Sequence, residues 1–432
     1  MDRTNATGRR SIVWSASGGT RHIIVGTMIG AVAVYLFQVW GARVLGAIDF
    51  APVSALWTVY FLGFTMFLLP VEQFVVRRLS LTGSSMKALR PSLPTLAGVI
   101  AGATILATSF VFVTRDRLFQ GEAAFAVVTA LIFASYGTFV VGRGILAGRH
   151  RFGAFGWVVG AEAVVRLLAA IALLAVSQTP LMMGVAMVVG AWVILAPRPF
   201  RRSGNEATDT GEAIADEDTT SAGRFLTGLT IGTVASQAIL AAGPLVVAAL
   251  GADAAAVSVF FVTFTLFRGP LTAAYNLFAK VLSRFTMEVA AGEYARLKAQ
   301  AAWITGIGSI STLVVALIAA QLGPFIVELM FGREFRPSAP LAALAAAGVI
   351  LAGTALFAGQ VLVASGASGR LAWAWLIAVV AGVIALIPDV ATPSIRVGVS
   401  FVIAEGVAVV ATMTGVAITK PHSAAVGHPR LG

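Results

Sequence analysis

The chain has 432 residues, of which 58% are hydrophobic and 11% are charged, whereas soluble domains carry about 25% charged residues. A soluble fold could not bury this much apolar surface, so the composition predicts an integral membrane protein. The net charge of +11 lies mostly in short loops, so no nucleic-acid partner is expected, and the absence of cysteine excludes disulfides and thiolate metal sites.

Apolar segments of about 20 residues, the length that crosses a bilayer as a helix, recur along the whole chain. The first 22 residues precede them and lack the apolar core of a cleavable signal peptide, so we expect a cytoplasmic N-terminal segment. Twelve transmembrane helices are predicted, the sixth being the shortest, near 23–45, 52–76, 92–113, 123–146, 155–176, 180–196, 225–249, 254–279, 300–327, 340–366, 371–388 and 397–418.

One long hydrophilic stretch, residues 197–224, separates the sixth predicted helix from the seventh. It holds six of the nineteen acidic residues and has no apolar pattern, which predicts a flexible cytoplasmic linker. With six helices in 23–196 and six in 225–418, followed by a tail at 419–432, both halves enter the membrane in the same direction. We therefore expect an all-α membrane protein with two pseudo-symmetric six-helix bundles around a central cavity.

An internal repeat supports this division. Residues 61–70 read FLGFTMFLLP and residues 261–270 read FVTFTLFRGP, sharing Phe, Phe, Thr, Phe and Pro at the same five places. Membrane proteins built from two similar halves usually transport a substrate through a site where the halves meet. Weaker matches pair Gly26 and Gly30 with Gly228 and Gly232, and Leu45-Gly46-Ala47 with Leu250-Gly251-Ala252.

The distribution of Lys and Arg predicts the orientation. The side that holds the N-terminus carries 22 of the 30 basic residues, the other side carries six, and two lie within predicted helices. Because basic residues accumulate in cytoplasmic loops, both termini are expected to face the cytoplasm.

Charged residues inside predicted helices are candidates for function, because each costs about 2.5–3.5 kcal/mol at the bilayer centre. Glu162 and Arg166 lie four apart in the favourable order, as either a structural pair or a cavity pair. Arg268 precedes Pro270, at a predicted kink where the first repeat carries leucine. Two acids complete the set: Glu72, which could pair with Arg77, and Glu405, which a peripheral helix could pair structurally.

Motifs for common enzyme chemistry are missing from the sequence. There is no GxxxxGK[ST], HExxH or GxSxG pattern, and the four histidines fall in predicted loops without metal-ligand spacing. We therefore expect no catalytic residues, cofactor or metal, and a protein that is not an enzyme.

Five short motifs, in order along the chain, resemble those of polysaccharide flippases, the O-antigen and teichuronic-type exporters of the superfamily that includes MATE transporters. They are Ala42-Arg43-Val44-Leu45-Gly46, Arg143-Gly144-Ile145-Leu146-Ala147-Gly148-Arg149, Gly243-Pro244-Leu245-Val246-Val247, Arg268-Gly269-Pro270 and Phe331-Gly332-Arg333-Glu334-Phe335.

The resemblance implies a carrier in the bacterial inner membrane that moves undecaprenyl-pyrophosphate-linked oligosaccharide to the outer leaflet. Its partners would be that lipid-linked cargo, membrane lipid, and a polysaccharide polymerase and glycosyltransferases, with the coupling ion left open. Arg268 becomes the first candidate for binding cargo phosphate, and the other candidates are Arg43, Arg166, Glu72 and Glu162. Alternatives are a MATE-like pump for small organic cations, a polymer-assembly enzyme, which the short outer loops disfavour, and a non-transporting scaffold.

Overall fold

The computed structural model describes residues 18–81, 86–149, 151–197, 219–389 and 391–419, and this part of the chain is helical without strands. Most of the predicted linker, N-terminal segment and tail lie outside these ranges. The α-helices are α1 Gly18–Gly63, α2 Leu69–Leu81, α3 Leu93–Val113, α4 Arg115–Leu118, α5 Ala124–Gly148, α6 Phe152–Val176, α7 Pro180–Ala191, α8 Thr219–Ala241, α9 Gly243–Ala249, α10 Ala254–Ala290, α11 Tyr294–Phe331, α12 Ala339–Ala364, α13 Ser368–Ala385 and α14 Pro393–Ala417.

All twelve predicted membrane segments are helical. Among the described residues, nine helices are long and apolar enough to cross a bilayer. A break at Gly46 divides α1 into the first two predicted segments. A 59° bend joins α8 and α9 into the seventh, and the short helix Pro180–Leu195 is the sixth. The predicted all-α membrane fold is therefore confirmed.

Contacts between loops agree with the alternation of the twelve segments. At one end Gln120 reaches the Ile48 carbonyl, at 3.4 Å, which joins the first and third interhelical connections. At the other end Lys298 donates to the Ala417 carbonyl, at 2.6 Å, next to the end of α14. We name the latter the basic end, since the described residues of the Lys- and Arg-rich loops lie there, and we name the former the far end.

The internal repeat has a structural counterpart in the two halves. Gly46 and Gly251, which the repeat aligns, both adopt a positive φ, of 75° and 85°, at the turn between the first and second segment of each half. This is a conformation that glycine adopts without steric cost. The first segment of each half also packs on the fifth, α1 on α6 and α8 on α13. The two halves thus share this turn and this helix pairing.

Close backbone contact makes Gly26 sensitive to substitution. A Cβ atom at Gly26 would lie 1.9 Å from the carbonyl oxygen of Gly156 on α6, whereas at Gly102 on α3 no atom lies within 4 Å. We expect Gly26→Ala to force α1 and α6 apart and to lower the free energy of unfolding by about 1–3 kcal/mol. The melting temperature in detergent should fall as a result. Gly102→Ala is the control and should leave the melting temperature unchanged. Equal melting temperatures for the two variants would contradict this packing.

Pro70 and Pro270 occupy aligned positions but have different surroundings. Ahead of Pro70 the helix widens into a π-helical turn, Phe64–Leu68, which relieves the clash of a proline ring with the preceding turn. Around Pro270 no such turn is present, and α10 continues through this residue to Ala290. The two copies of the repeat have therefore diverged in backbone geometry at this proline.

Helices α10 and α11 extend beyond their predicted membrane segments. The length of an apolar stretch predicts only the part of a helix that lies within the bilayer. At the basic end Glu288 accepts hydrogen bonds from Arg284 of its own helix and from Gln300 of α11, each at 3.1 Å, and the bond from Gln300 links α10 to α11. Burial opposes the ionisation of Glu288, but these bonds and the charges of Arg284 and Arg296 outweigh it and lower the pKa of the carboxyl group. The bond from Gln300 therefore joins the two helices beyond their predicted membrane segments.

Candidate functional site

A cavity of about 210 Å³ lies at the seam between the two halves. The second half supplies most of the wall, from the α8–α9 bend and from α10, α13 and α14. The first half supplies Trp57, Thr58 and Phe61, from the part of α1 after Gly46. Apolar side chains, six of them aromatic, make up most of this wall, and its charged member among the described residues is Arg268.

The position of Arg268 follows from the break between α8 and α9. In a continuous helix the carbonyl of Leu240 would accept a hydrogen bond from the N–H of residue 244, but that residue is proline and has no N–H. Arg268 Nη1 lies 3.3 Å from this carbonyl oxygen and donates to it. The guanidinium therefore supplies the donor that Pro244 lacks, and it stabilises the bend.

Arg268 also connects the two halves. Its guanidinium carbon lies 5.0 Å from the ring centre of Phe61, the residue that begins the first copy of the repeat. The side chain is half-buried, between a carbonyl of the second half and an aromatic face of the first. A cation over an aromatic face is attracted to it, so a change in the spacing of the halves would alter the surroundings of this charge.

Two hydroxyls of the cavity wall donate to backbone carbonyls, one within α1 and one from α14 to α13. Thr58 donates to the Ser54 carbonyl and Ser400 to the Gly382 carbonyl, both at 2.8 Å. Sequence reasoning missed these residues and Trp57, because hydroxyl and aromatic side chains in apolar helices carry no signal of which face meets the seam. The Gly243-Pro244 motif was a usable signal, since it marks the bend in the wall.

Glu162 and Arg166 form a buried ion pair within the first half. Arg166 Nη1 lies 3.3 Å from Glu162 Oε1, and both side chains are at most 10% exposed. Tyr136 on α5 donates to Glu162 and accepts a hydrogen bond from Arg166, at 3.2 Å for the latter. This cluster satisfies each charge with a partner, as burial requires.

The buried pair reaches the cavity through Trp57. The guanidinium carbon of Arg166 lies 5.0 Å from the Trp57 ring centre and 5.4 Å from that of Phe37. Arg166 is absent from the cavity wall, whereas Trp57 is part of it. The ion pair therefore fixes an aromatic side chain of the wall rather than facing the cavity itself.

The other candidate acids lie away from the cavity wall. Glu72 pairs with Arg143 of α5, at 3.1 Å, while the side chain of its expected partner Arg77 lies outside the described residues. Glu405 is fully buried in α14, and within the described part of the chain neither carboxyl oxygen has a hydrogen-bond partner. The peripheral pairing expected for Glu405 is therefore not found there.

Arg43 lies at the far end, and its guanidinium crosses to the other half. It donates to the carbonyl oxygen of Met330, at 2.7 Å, and to that of Leu329 at the end of α11. The structure thus brings Arg268 to the cavity wall and places Arg43, Arg166, Glu72 and Glu162 elsewhere.

The solved structures that this chain resembles include membrane transporters. A MATE-family multidrug resistance transporter of the MOP superfamily, in its inward-facing conformation, aligns with a TM-score of 0.63 at 13% identity, over 92% of this chain and 96% of its own. The eukaryotic MATE transporter AtDTX14 aligns at 0.59 with 14% identity, over 93% and 96%. The lipid II flippase MurJ, inward closed, aligns at 0.58 with 12% identity, over 92% and 87%. The chain therefore has the MATE transporter fold, and at these identities the likeness shows the fold alone.

No protein-family model matches the chain, and no curated protein matches it.

Proposed function

We propose that the chain is a transporter that flips an undecaprenyl-pyrophosphate-linked oligosaccharide from the inner to the outer leaflet, by alternating access, for surface polysaccharide assembly. The observation that carries this proposal is Arg268, a cation in the cavity wall between the two halves. A guanidinium matches the geometry of phosphate oxygens, and a pyrophosphate headgroup cannot cross hydrocarbon without such a partner.

The size of the cavity fits one stage of such a cycle. Small-molecule pockets typically measure about 300–1,000 Å³, whereas this cavity holds about 210 Å³. A pyrophosphate with several sugars needs more room, so loading requires the two halves to separate. The lipid tail would stay outside the protein, in the bilayer.

The setting follows from the distribution of charge. The basic end faces the cytoplasm of a bacterial inner membrane, and both termini lie on that side. Glycosyltransferases supply the cargo there, and a polysaccharide polymerase receives it outside. Because the sequence has no GxxxxGK[ST] motif, a gradient, the membrane potential or consumption of the cargo drives the cycle.

Efflux of small organic cations is the second candidate function, and the MATE fold favours it. A pump for cations needs anionic groups where the substrate binds, because a buried cation must be neutralised. In the described residues of the cavity wall the charge is Arg268 and no carboxylate is present. The sign of this charge supports an anionic cargo.

Reconstitution in vesicles tests the proposal. A polyprenyl-pyrophosphate saccharide with a fluorescent sugar is incorporated into both leaflets, and membrane-impermeant dithionite then bleaches the label that faces outwards. We expect the protein to make inner-leaflet label accessible, whereas protein-free vesicles keep it protected. Uptake of ethidium without any gain in bleaching would instead identify the protein as an organic-cation pump.

A further inference from the structure

Two sequence motifs that lie far apart in the chain meet at the far end of the molecule. The first motif includes Arg43 and Gly46 and lies at the break in α1. The second runs from Phe331 to Phe335 and begins at the last residue of α11. They belong to different halves. We name their contact the far-end clasp, defined by Arg43, Ala47, Leu329, Met330 and Glu334.

Arg43 binds the C-terminus of a helix in the opposite half. Leu329 and Met330 lie in the last turn of α11, where carbonyl groups have no donor further along the helix. Both carbonyls accept hydrogen bonds from the Arg43 guanidinium. A cation is favoured at this position because the C-terminus of a helix carries partial negative charge.

Glu334 makes the reciprocal contact with the N-terminus of a helix in the first half. Its Oε2 accepts from the N–H of Ala47, at 3.0 Å, at the start of the helix that follows the Gly46 break. A Cβ atom on Gly46 would lie 2.9 Å from this same oxygen. Glycine is therefore favoured at residue 46 by its φ of 75°, and a larger residue would also displace the carboxylate.

Buried aromatic rings lie beside these polar contacts. Phe50 of the first half packs against Phe335 and Phe261 of the second, with ring centres 6.0 and 6.1 Å apart. Tyr35 similarly meets Phe331 edge to face, at 6.2 Å. The interface therefore has an apolar centre and a charged rim.

We propose that the far-end clasp is the outer gate of the transporter, which holds the two halves together until cargo is released; this rests on the proposed function. Arg43 and Glu334 are both exposed, so water can replace their bonds when the gate opens. Neither charge is then left buried. Opening separates the two motifs and exposes the cavity to the outside. Arg43 therefore holds the two halves together and does not bind the cargo.

Distances between spin labels test the gate without any cargo. The chain has no cysteine, so Ile48→Cys and Ala339→Cys, both exposed at the far end, place one label on each half. Double electron–electron resonance on the full chain in lipid nanodiscs then reports the separation. We expect Arg43→Gln and Glu334→Gln each to raise the ratio of the long-distance to the short-distance population about threefold or more, and Arg43→Lys to have a smaller effect.

Arg333→Gln is the matched control, since this neighbouring side chain is 95% exposed and contacts Glu328 of its own half. It should leave the distances unchanged. Unaltered distances in both Arg43→Gln and Glu334→Gln, at unchanged melting temperature, would overturn the gate. Shifted distances without flipping of the lipid-linked saccharide would leave the gate standing and reject the proposed cargo.

Discussion

Replacing Arg268 with alanine is expected to abolish flipping of the lipid-linked saccharide while the protein still reaches the membrane. The variant loses the cation that meets the pyrophosphate, and a hydrogen bond to a charged group contributes about 1.5–3 kcal/mol, or roughly 10- to 100-fold in affinity. The vesicle assay measures the rate. Arg268→Lys keeps the charge without the planar guanidinium and should retain part of the activity. Arg90→Ala, at an exposed arginine outside the cavity wall, is the control.

A second substitution distinguishes the role of Arg268 in binding the cargo from its role in stabilising the α8–α9 bend. Pro244→Ala restores an N–H that can bond the Leu240 carbonyl, so the helix no longer needs the guanidinium there. We expect Arg268→Ala with Pro244→Ala to regain the melting temperature of Pro244→Ala alone and yet to remain inactive. Recovery of flipping in the double variant would mean that Arg268 only stabilises the α8–α9 bend.

Removing one partner of the buried Glu162–Arg166 pair is expected to cause the largest loss of stability. Arg166→Met leaves the Glu162 carboxylate buried without a cation, which costs about 3–5 kcal/mol. The melting temperature in detergent should fall, on the order of 10 °C. Arg333→Met is the control, because its side chain is 95% exposed where it contacts Glu328, and exposed pairs contribute only about 0–1 kcal/mol.

The double variant Glu162→Gln, Arg166→Met tests whether the pair is structural. It removes both charges, and we expect it to regain most of the stability and of the flipping rate, since Trp57 keeps an apolar neighbour. A stable double variant without flipping would instead assign the pair a role in the cycle. A melting temperature for Arg166→Met equal to that of the control would contradict the burial cost.

The segments and the repeat could be predicted from sequence because both rest on local properties. Apolar length reports the bilayer crossing directly, and Gly26 and Gly46 mark positions where a side chain has no room or where φ is positive. The Glu162–Arg166 pair was predictable for the same reason, since residues four apart share a helix face.

The partners of the other charges depend on contacts between helices, which spacing in the sequence does not reveal. Glu72 meets Arg143 on a neighbouring helix, and Arg43 meets carbonyls 286 and 287 residues away. Predicting the carbonyl that accepts the hydrogen bond from Arg268 would have required knowing that Pro244 breaks a helix beside it. The candidate charges could thus be named from sequence, but their surroundings could not.

The unequal wall of the cavity has a consequence for how a duplicated protein specialises. The C-terminal copy contributes five helices to the wall and the N-terminal copy contributes one stretch of α1, so under the proposed function recognition of the cargo would fall mainly to the C-terminal copy. Under the proposed function, the N-terminal copy, which contains the buried Glu162–Arg166 pair, would be the more rigid of the two halves during the cycle. Substitutions in the C-terminal copy would then change which substrate is carried. Substitutions in the N-terminal copy would instead change whether transport occurs at all.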